Sequence, residues 1–199
     1  QKDATIEGSV VFKTAVSAQQ TKREIFPDML LKIPIGLPYD STTHSNRIDM
    51  KQNISVHITS VGLNFRDVLV ALGMYPSSID RSNIGSDFSG YVRASTHSDF
   101  MVGDRVFGQS RGVFREQILV SPQQICHVPP NLTMEEASGI PTVFLTALYC
   151  IRCLPKDLTK SLLLHSASGG LGLAVVQLAR KAGLHTVTTA GSPYKRGFL

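Results

Sequence analysis

SLLLHSASGGLGLAVVQLARKA, residues Ser161 to Ala182, decides how this chain is read. Ser161–His165 is a short apolar run, Ser166–Gly172 a turn of small residues, and Leu173–Ala182 has helical periodicity. Strand, glycine turn, helix is the order in which an open parallel sheet builds a phosphate site. The free N–H groups and partial positive charge of a helix N-terminus face the anion. Glycines allow the tight turn, close approach of backbone to phosphate and close helix–strand packing. The spacing here is S-x-x-G-x-x-G over Ser166, Gly169 and Gly172, with Gly170 as an extra glycine, rather than the usual G-x-G-x-x-G. Taken alone, such a cluster is also what a tight loop in any α/β protein looks like. A second strand, His185–Thr189, follows at the distance of a βαβ unit and favours the phosphate reading. An NAD site carries Asp or Glu at the end of that strand; this chain has Thr189-Ala190-Gly191-Ser192-Pro193-Tyr194-Lys195-Arg196. A hydroxyl and two cations, with no acid, suit a ribose 2′-phosphate. The expected cofactor is therefore NADP(H) rather than NAD(H).

Composition narrows the class. The chain has 199 residues, enough for one domain and part of a second. Its hydrophobic content is 42%, with no apolar run near the ~18 residues of a membrane span, so a soluble globular protein is expected. The first residue is Gln1, no signal segment follows, and Leu199 comes just after the second strand of a fold that normally has about six. Both ends read as cuts in a longer polypeptide. The net charge is +5, but the cations are scattered without zinc-finger spacing or a basic helix, which argues against nucleic acid. A modest positive field could still attract an acidic cofactor or carrier. Three cysteines and no secretory signal suit a reducing, cytoplasmic setting. Cys150-Ile151-Arg152-Cys153 has C-x-x-C spacing but no second pair, and reads as two small residues at the end of a helix. The six histidines are dispersed, so no metal is expected.

Along the chain, Gln1–Glu24 is polar and uninformative, Met29–Ile35 reads as a strand and Gly36–Met50 as a surface loop. Asn53–Ser60 alternates, with Ile54, Val56 and Ile58 on one face and Ser55, His57 and Thr59 on the other, as in a half-buried strand with His57 toward solvent. A short helix is expected from Phe65 to Leu72, stopped by Gly73. Ile84–Val92, Asp104–Phe107, Val113–Val120 and Gln124–Val128 read as strands of an antiparallel barrel or sandwich. Thr133 and Glu136 have capping-box spacing, and Val143–Leu154 reads as a buried helix.

Six runs carry a resemblance. They are GLNFRDVLVALGMYP (Gly62–Pro76), IGSDFSGYV (Ile84–Val92), VGDRVFG (Val102–Gly108), EEASGIPTVFLTALY (Glu135–Tyr149), LLLHSASGGLGLAVVQLARKAG (Leu162–Gly183) and TTAGSPYKRGFL (Thr188–Leu199). In order and spacing they resemble the medium-chain reductase superfamily. Within it they look most like the enoyl reductase domain of polyketide synthases and animal-type fatty-acid synthases, in the branch without zinc. The resemblance covers nearly everything from Met29 onward. It implies a mixed α/β architecture: a GroES-like β-barrel substrate domain over residues 1–139, then the first βαβ of a Rossmann NADPH-binding domain over residues 140–199.

The same resemblance implies roles. NADPH would reduce the α,β double bond of an enoyl thioester on the phosphopantetheine arm of an acyl carrier protein, with the other synthase domains in cis. Ser168, Gly169, Gly170, Leu171 and Gly172 would cradle the pyrophosphate, while Ser192, Lys195 and Arg196 would hold the 2′-phosphate. Asn64 and Thr146 match positions at the nicotinamide end, although Thr146 could equally be a helix hydroxyl bonded to its own backbone. Tyr75 would be a proton donor or, preferably, an aromatic wall of the acyl pocket. Arg66 and Asp67 would buttress one another. The family's main proton donors fall beyond residue 199, so the chain alone is expected to turn over poorly. Members are often dimeric. Two other readings stay open: a free-standing NADPH:quinone or enone reductase, and a non-catalytic pseudo-reductase.

Overall fold

The computed structural model describes residues 54–75, 84–155 and 160–199. The expected strand at Met29–Ile35 and the loop at Gly36–Met50 lie outside these residues. β1 (Ile54–Gly62), β2 (Asp87–Ser95), β3 (Arg105–Gln109), β4 (Gln117–Val120) and β5 (Ile125–His127) form one antiparallel sheet in the order β4-β1-β2-β3-β5. β1 is thus an inner strand. Its alternation holds where Ile54 and Val56 are fully buried, but Ser55 on the other face is buried too, bonded by Gln117 of β4. His57 is half-buried, 3.9 Å from the Glu116 carboxylate.

Two expected strands are shorter than the apolar runs that suggested them. Ile84–Ser86 precedes β2 without joining its ladder, and residues 113–116 turn back on themselves, with Arg115 N–H donating to Val113 O at 2.8 Å. Val113 is nevertheless fully buried, which is why its stretch looks like strand. Apolar content reports burial before it reports conformation.

α1 (Phe65–Ala71) follows β1, and Gly73 after it takes the left-handed φ of +68° expected of a helix stop. α2 (Met134–Ser138) begins at a complete capping box: Glu136 N–H donates to the Thr133 hydroxyl at 3.2 Å and Thr133 N–H to the Glu136 carboxylate at 2.9 Å. α3 (Pro141–Arg152) starts on Pro141, where a missing N–H costs nothing. It buries one face, through Pro141, Phe144, Ala147 and Leu148, and leaves Tyr149, Cys150 and Cys153 exposed. The expected buried helix is therefore an amphipathic one. β6 (Ser161–Leu164), α4 (Gly170–Lys181) and β7 (His185–Thr188) complete a βαβ unit with β6 and β7 parallel, and α5 (Pro193–Phe198) follows.

The core has two parts. One lies within the sheet and includes Ile54, Val56, Phe88, Val92 and Val106. The other runs from Phe107 and Val128 of the sheet side through Leu132, Ile140 and Phe144 to Val175 and Leu178 of α4. Apolar packing is continuous across residues 139–141.

Candidate functional site: a glycine turn and the helix start beside it

α4 begins earlier than its periodicity indicates, at Gly170 instead of Leu173. Three small residues carry no hydrophobic stripe, so the pattern becomes visible only from Leu173. The first bond within the helix is Leu173 N–H to Gly169 O at 2.9 Å, so the N–H groups of Gly170, Leu171 and Gly172 precede the ladder and face outward along the axis. With the helix dipole behind them they form an anion site. Gly172 is required by packing: a Cβ there would lie 2.6 Å from the backbone of Ala167. Gly170 has room, the nearest atom to such a Cβ being Val143 Cγ1 at 3.7 Å. Space at Gly170 beside unpartnered helix-start N–H groups is what a pyrophosphate would use. Ser168 is half-buried and Leu171 exposed on this turn, and Ser166 adopts a φ of +55°, uncommon for a residue with a side chain.

The turn is pinned to the end of β7 by a residue that the sequence reading did not single out. Thr189 accepts from Ala167 N–H through its carbonyl at 3.0 Å and from Ser166 N–H through its hydroxyl at 3.3 Å. The segment that follows forms a short helix, α5. Ser192 caps α5, its hydroxyl oxygen accepting Lys195 N–H at 3.3 Å, and the Arg196 guanidinium donates to Ala190 O at 3.4 Å. Lys195 and Arg196 are both exposed. An apolar cleft of about 400 Å³ is lined by the turn itself, through Ser166 and residues 169–172, together with Cys150 of α3, Leu154 just after it, and Leu162 and Leu164 of β6.

The residues expected at the nicotinamide end lie around the first turns of α1 and α3. Asn64 is the N-cap of α1; its N–H donates to Asp67 Oδ2 at 2.9 Å and its amide Nδ2 to Asp87 Oδ2 at 3.1 Å. Asp67, 3% exposed, also accepts Gly85 N–H at 3.1 Å. The expected pairing of Arg66 with Asp67 is corrected by these bonds: Asp67 is satisfied by backbone N–H groups. The Arg66 guanidinium lies over the Tyr75 ring at 5.9 Å, and among the described residues its buried Nε finds no partner. The Thr146 hydroxyl donates to Thr142 O at 2.7 Å, so its single proton is spent within α3 and toward a ligand it can only accept. Val143, one residue after Thr142, is the side chain nearest Gly170, which places the start of α3 against the start of α4.

Among the described residues no group of three His, Cys, Asp or Glu side chains comes together to hold a metal, and no helix is long and apolar enough to cross a membrane.

An antiparallel sheet joined through two helices to a strand–glycine turn–helix unit is the order that the resemblance to the medium-chain reductases implied. Residues 50–130 match the alcohol dehydrogenase GroES-like domain. A highly reducing polyketide synthase of Penicillium crustosum is 38% identical over 150 residues, covering 74% of this chain and 6% of that one. Among solved structures, the CurK enoyl reductase superposes with a TM-score of 0.65 at 33% identity, covering 73% of this chain and 48% of that one. A mycobacterial structure complexed with NADPH gives 0.62 at 28% identity, covering 73% and 46%. The chain belongs to the medium-chain dehydrogenase/reductase superfamily and, within it, is similar to the enoyl reductases of polyketide synthases. It spans about half the length of the solved relatives and a small part of the synthases.

Proposed function

We propose that this chain is part of an NADPH-dependent enoyl reductase within a polyketide or fatty-acid synthase. It would reduce the α,β double bond of an enoyl thioester carried by an acyl carrier protein. The observation that carries the reading is the α4 start: outward N–H groups at Gly170–Gly172, open space at Gly170, and Thr189 holding the segment with Ser192, Lys195 and Arg196 against the turn. That segment carries two cations and no acid. The relatives support the reaction class.

In this reading the division of labour is by domain, with residues 1–139 for the substrate and residues 140–199 opening the nucleotide-binding unit. NADPH, when bound, supplies the hydride that reaches the β-carbon of the substrate. Gly170, Leu171 and Gly172 hold the pyrophosphate with backbone N–H groups, while Gly169 spends its own N–H on Ser166 O and shapes the turn beside Ser168. Lys195 and Arg196 neutralise the 2′-phosphate, and the Ser192 hydroxyl, which accepts from Lys195 N–H, keeps its own proton to donate. Asn64 and Thr146 orient the carboxamide end, while Tyr75, with Arg66 over its face, walls the acyl pocket.

The test is NADPH oxidation by the intact reductase unit carrying this chain, with crotonyl-pantetheine thioester and with a quinone. Lys195→Ala should weaken NADPH affinity by ~10-fold or more, the scale of one charge-assisted contact, and leave NADH affinity unchanged. Turnover of the quinone alone would replace this reading with a free-standing quinone reductase. NADPH binding without turnover of either would replace it with a pseudo-reductase.

A further inference from the structure

Asp87 stands at a junction that the reading above does not use. It is the first residue of β2 and is 1% exposed. Its Oδ1 accepts the Thr142 hydroxyl at 2.6 Å, and its Oδ2 accepts Thr142 N–H at 3.0 Å and Asn64 Nδ2 at 3.1 Å. Gln109 of β3 donates to the Thr142 hydroxyl oxygen at 2.9 Å, so that hydroxyl receives one bond and gives its only proton to Asp87. A single carboxylate therefore ties together the N-cap of α1 and the first turn of α3, where a negative charge also meets the helix dipole.

The arrangement is costly if stability is its purpose. Burial pushes the Asp87 carboxyl above its ordinary value, and the Thr142 and Asn64 bonds only partly offset this. An apolar side chain of similar size would avoid that desolvation, at the cost of unpairing the Thr142 N–H, the Thr142 hydroxyl and the Asn64 amide. What it could not do is orient an amide. An ionised carboxylate only accepts, so Asn64 must turn its NH₂ inward and its carbonyl oxygen away. Thr142 is one turn before Thr146 on the same helix, and its neighbour Val143 touches the Gly170 turn.

We propose that Asp87 is a positioning residue: it sets the orientation of the Asn64 amide and locks the starts of α1 and α3 in one register, so that Asn64 and Thr146 face the bound nicotinamide together. The inference rests on the reductase reading proposed above.

Asp87→Asn in the intact reductase unit keeps the shape but puts a donor where only acceptors fit, against either Thr142 or Asn64. Expected is a fall in kcat for crotonyl-pantetheine thioester of ~10-fold or more, with NADPH affinity held within about twofold by the distant 2′-phosphate contacts. In an Asn64→Ala background the same change should cost less than about threefold, because the amide it orients is gone. An equal loss in both backgrounds, or no loss in either, overturns the proposal. Should Asp87→Asn fail to fold, Thr142→Val, which removes the hydroxyl bridge, enters the same cycle with the same criteria. If the unaltered unit does not reduce the thioester, the reductase reading has failed, and the Asp87 proposal is then decided by NMR. The Asn64 side-chain amide protons should exchange slowly with Asp87 present and faster in Asp87→Asn. Equal rates would overturn it.

Discussion

Asp104 and Asp87 are carboxylates pulled in opposite directions. Asp104 accepts Met101 N–H at 2.7 Å and faces His127 Nε2 at 3.1 Å. The Met101 bond first, and His127 second, hold its carboxyl below the ordinary 3.8. A depressed folded value means that Asp104 contributes stability above pH 3.8 and loses it as pH falls through the folded value. Asp87 has the reverse sign: its contribution is greatest below 3.8 and fades as pH rises through its raised folded value. Asp104→Asn should therefore flatten the acid limb of the stability profile, seen as a smaller drop in urea midpoint below pH 3.8. The effect will be modest, because Asp104 keeps 26% of its side chain exposed and water partly screens its partners. Side-chain partnerships of this kind were poorly legible in the sequence. Asn64, Arg66 and Asp67 stand out as polar residues at a helix mouth, yet nothing in their spacing says that Asp67 takes backbone N–H groups or that Asp87, 20 or so residues further on, takes the Asn64 amide.

At the scale of elements, periodicity finds what has a hydrophobic stripe and misses what is made of small residues. The capping box at Thr133 and the stop at Gly73 are chemical signals at single positions, and both stand where the spacing puts them. The start of α4 has no such signal, because Gly169 caps it and glycines open it. α5 was not anticipated from the sequence, although Ser192-Pro193 is an N-cap followed by a first-turn proline. The two glycines at the α4 start separate packing from binding. Gly172→Ala must displace the Ala167 backbone from 2.6 Å and should lower the melting temperature by several degrees or more. Gly170→Ala meets only Val143 at 3.7 Å, so the melting temperature should hold while NADPH affinity falls, because the added methyl occupies the phosphate's approach. Thermal melts and an NADPH titration on the pair decide it. Equal losses of stability would refute the assignment of the open space to a ligand.

For the whole molecule, order along the chain was the legible part: an antiparallel sheet first, then a βαβ opening, in the sequence Gly62–Pro76, Ile84–Val92 and Leu162–Gly183 had indicated. How the two meet was not legible, since Phe107, Val128, Phe144 and Leu178 are apolar residues like any others until the fold brings them into one cluster. Phe144, 4% exposed, is central to it. Phe144→Ala in the intact unit should cost about 3–5 kcal/mol, measurable by chemical denaturation. A loss under about 1 kcal/mol would mean that the cluster contributes little to holding the halves together.

That shared cluster also bears on motion. Two bodies joined by a linker open independently, and their amide protons exchange with solvent on separate schedules. Here β3 and α3 bury side chains in the same apolar mass, so neither can open without exposing the other's core. Their slowest amides should exchange through a single common opening, and denaturant should lower its free energy for both with one slope. The stretch at residues 139–141 would then act as a weld, with any larger movement turning about some other line.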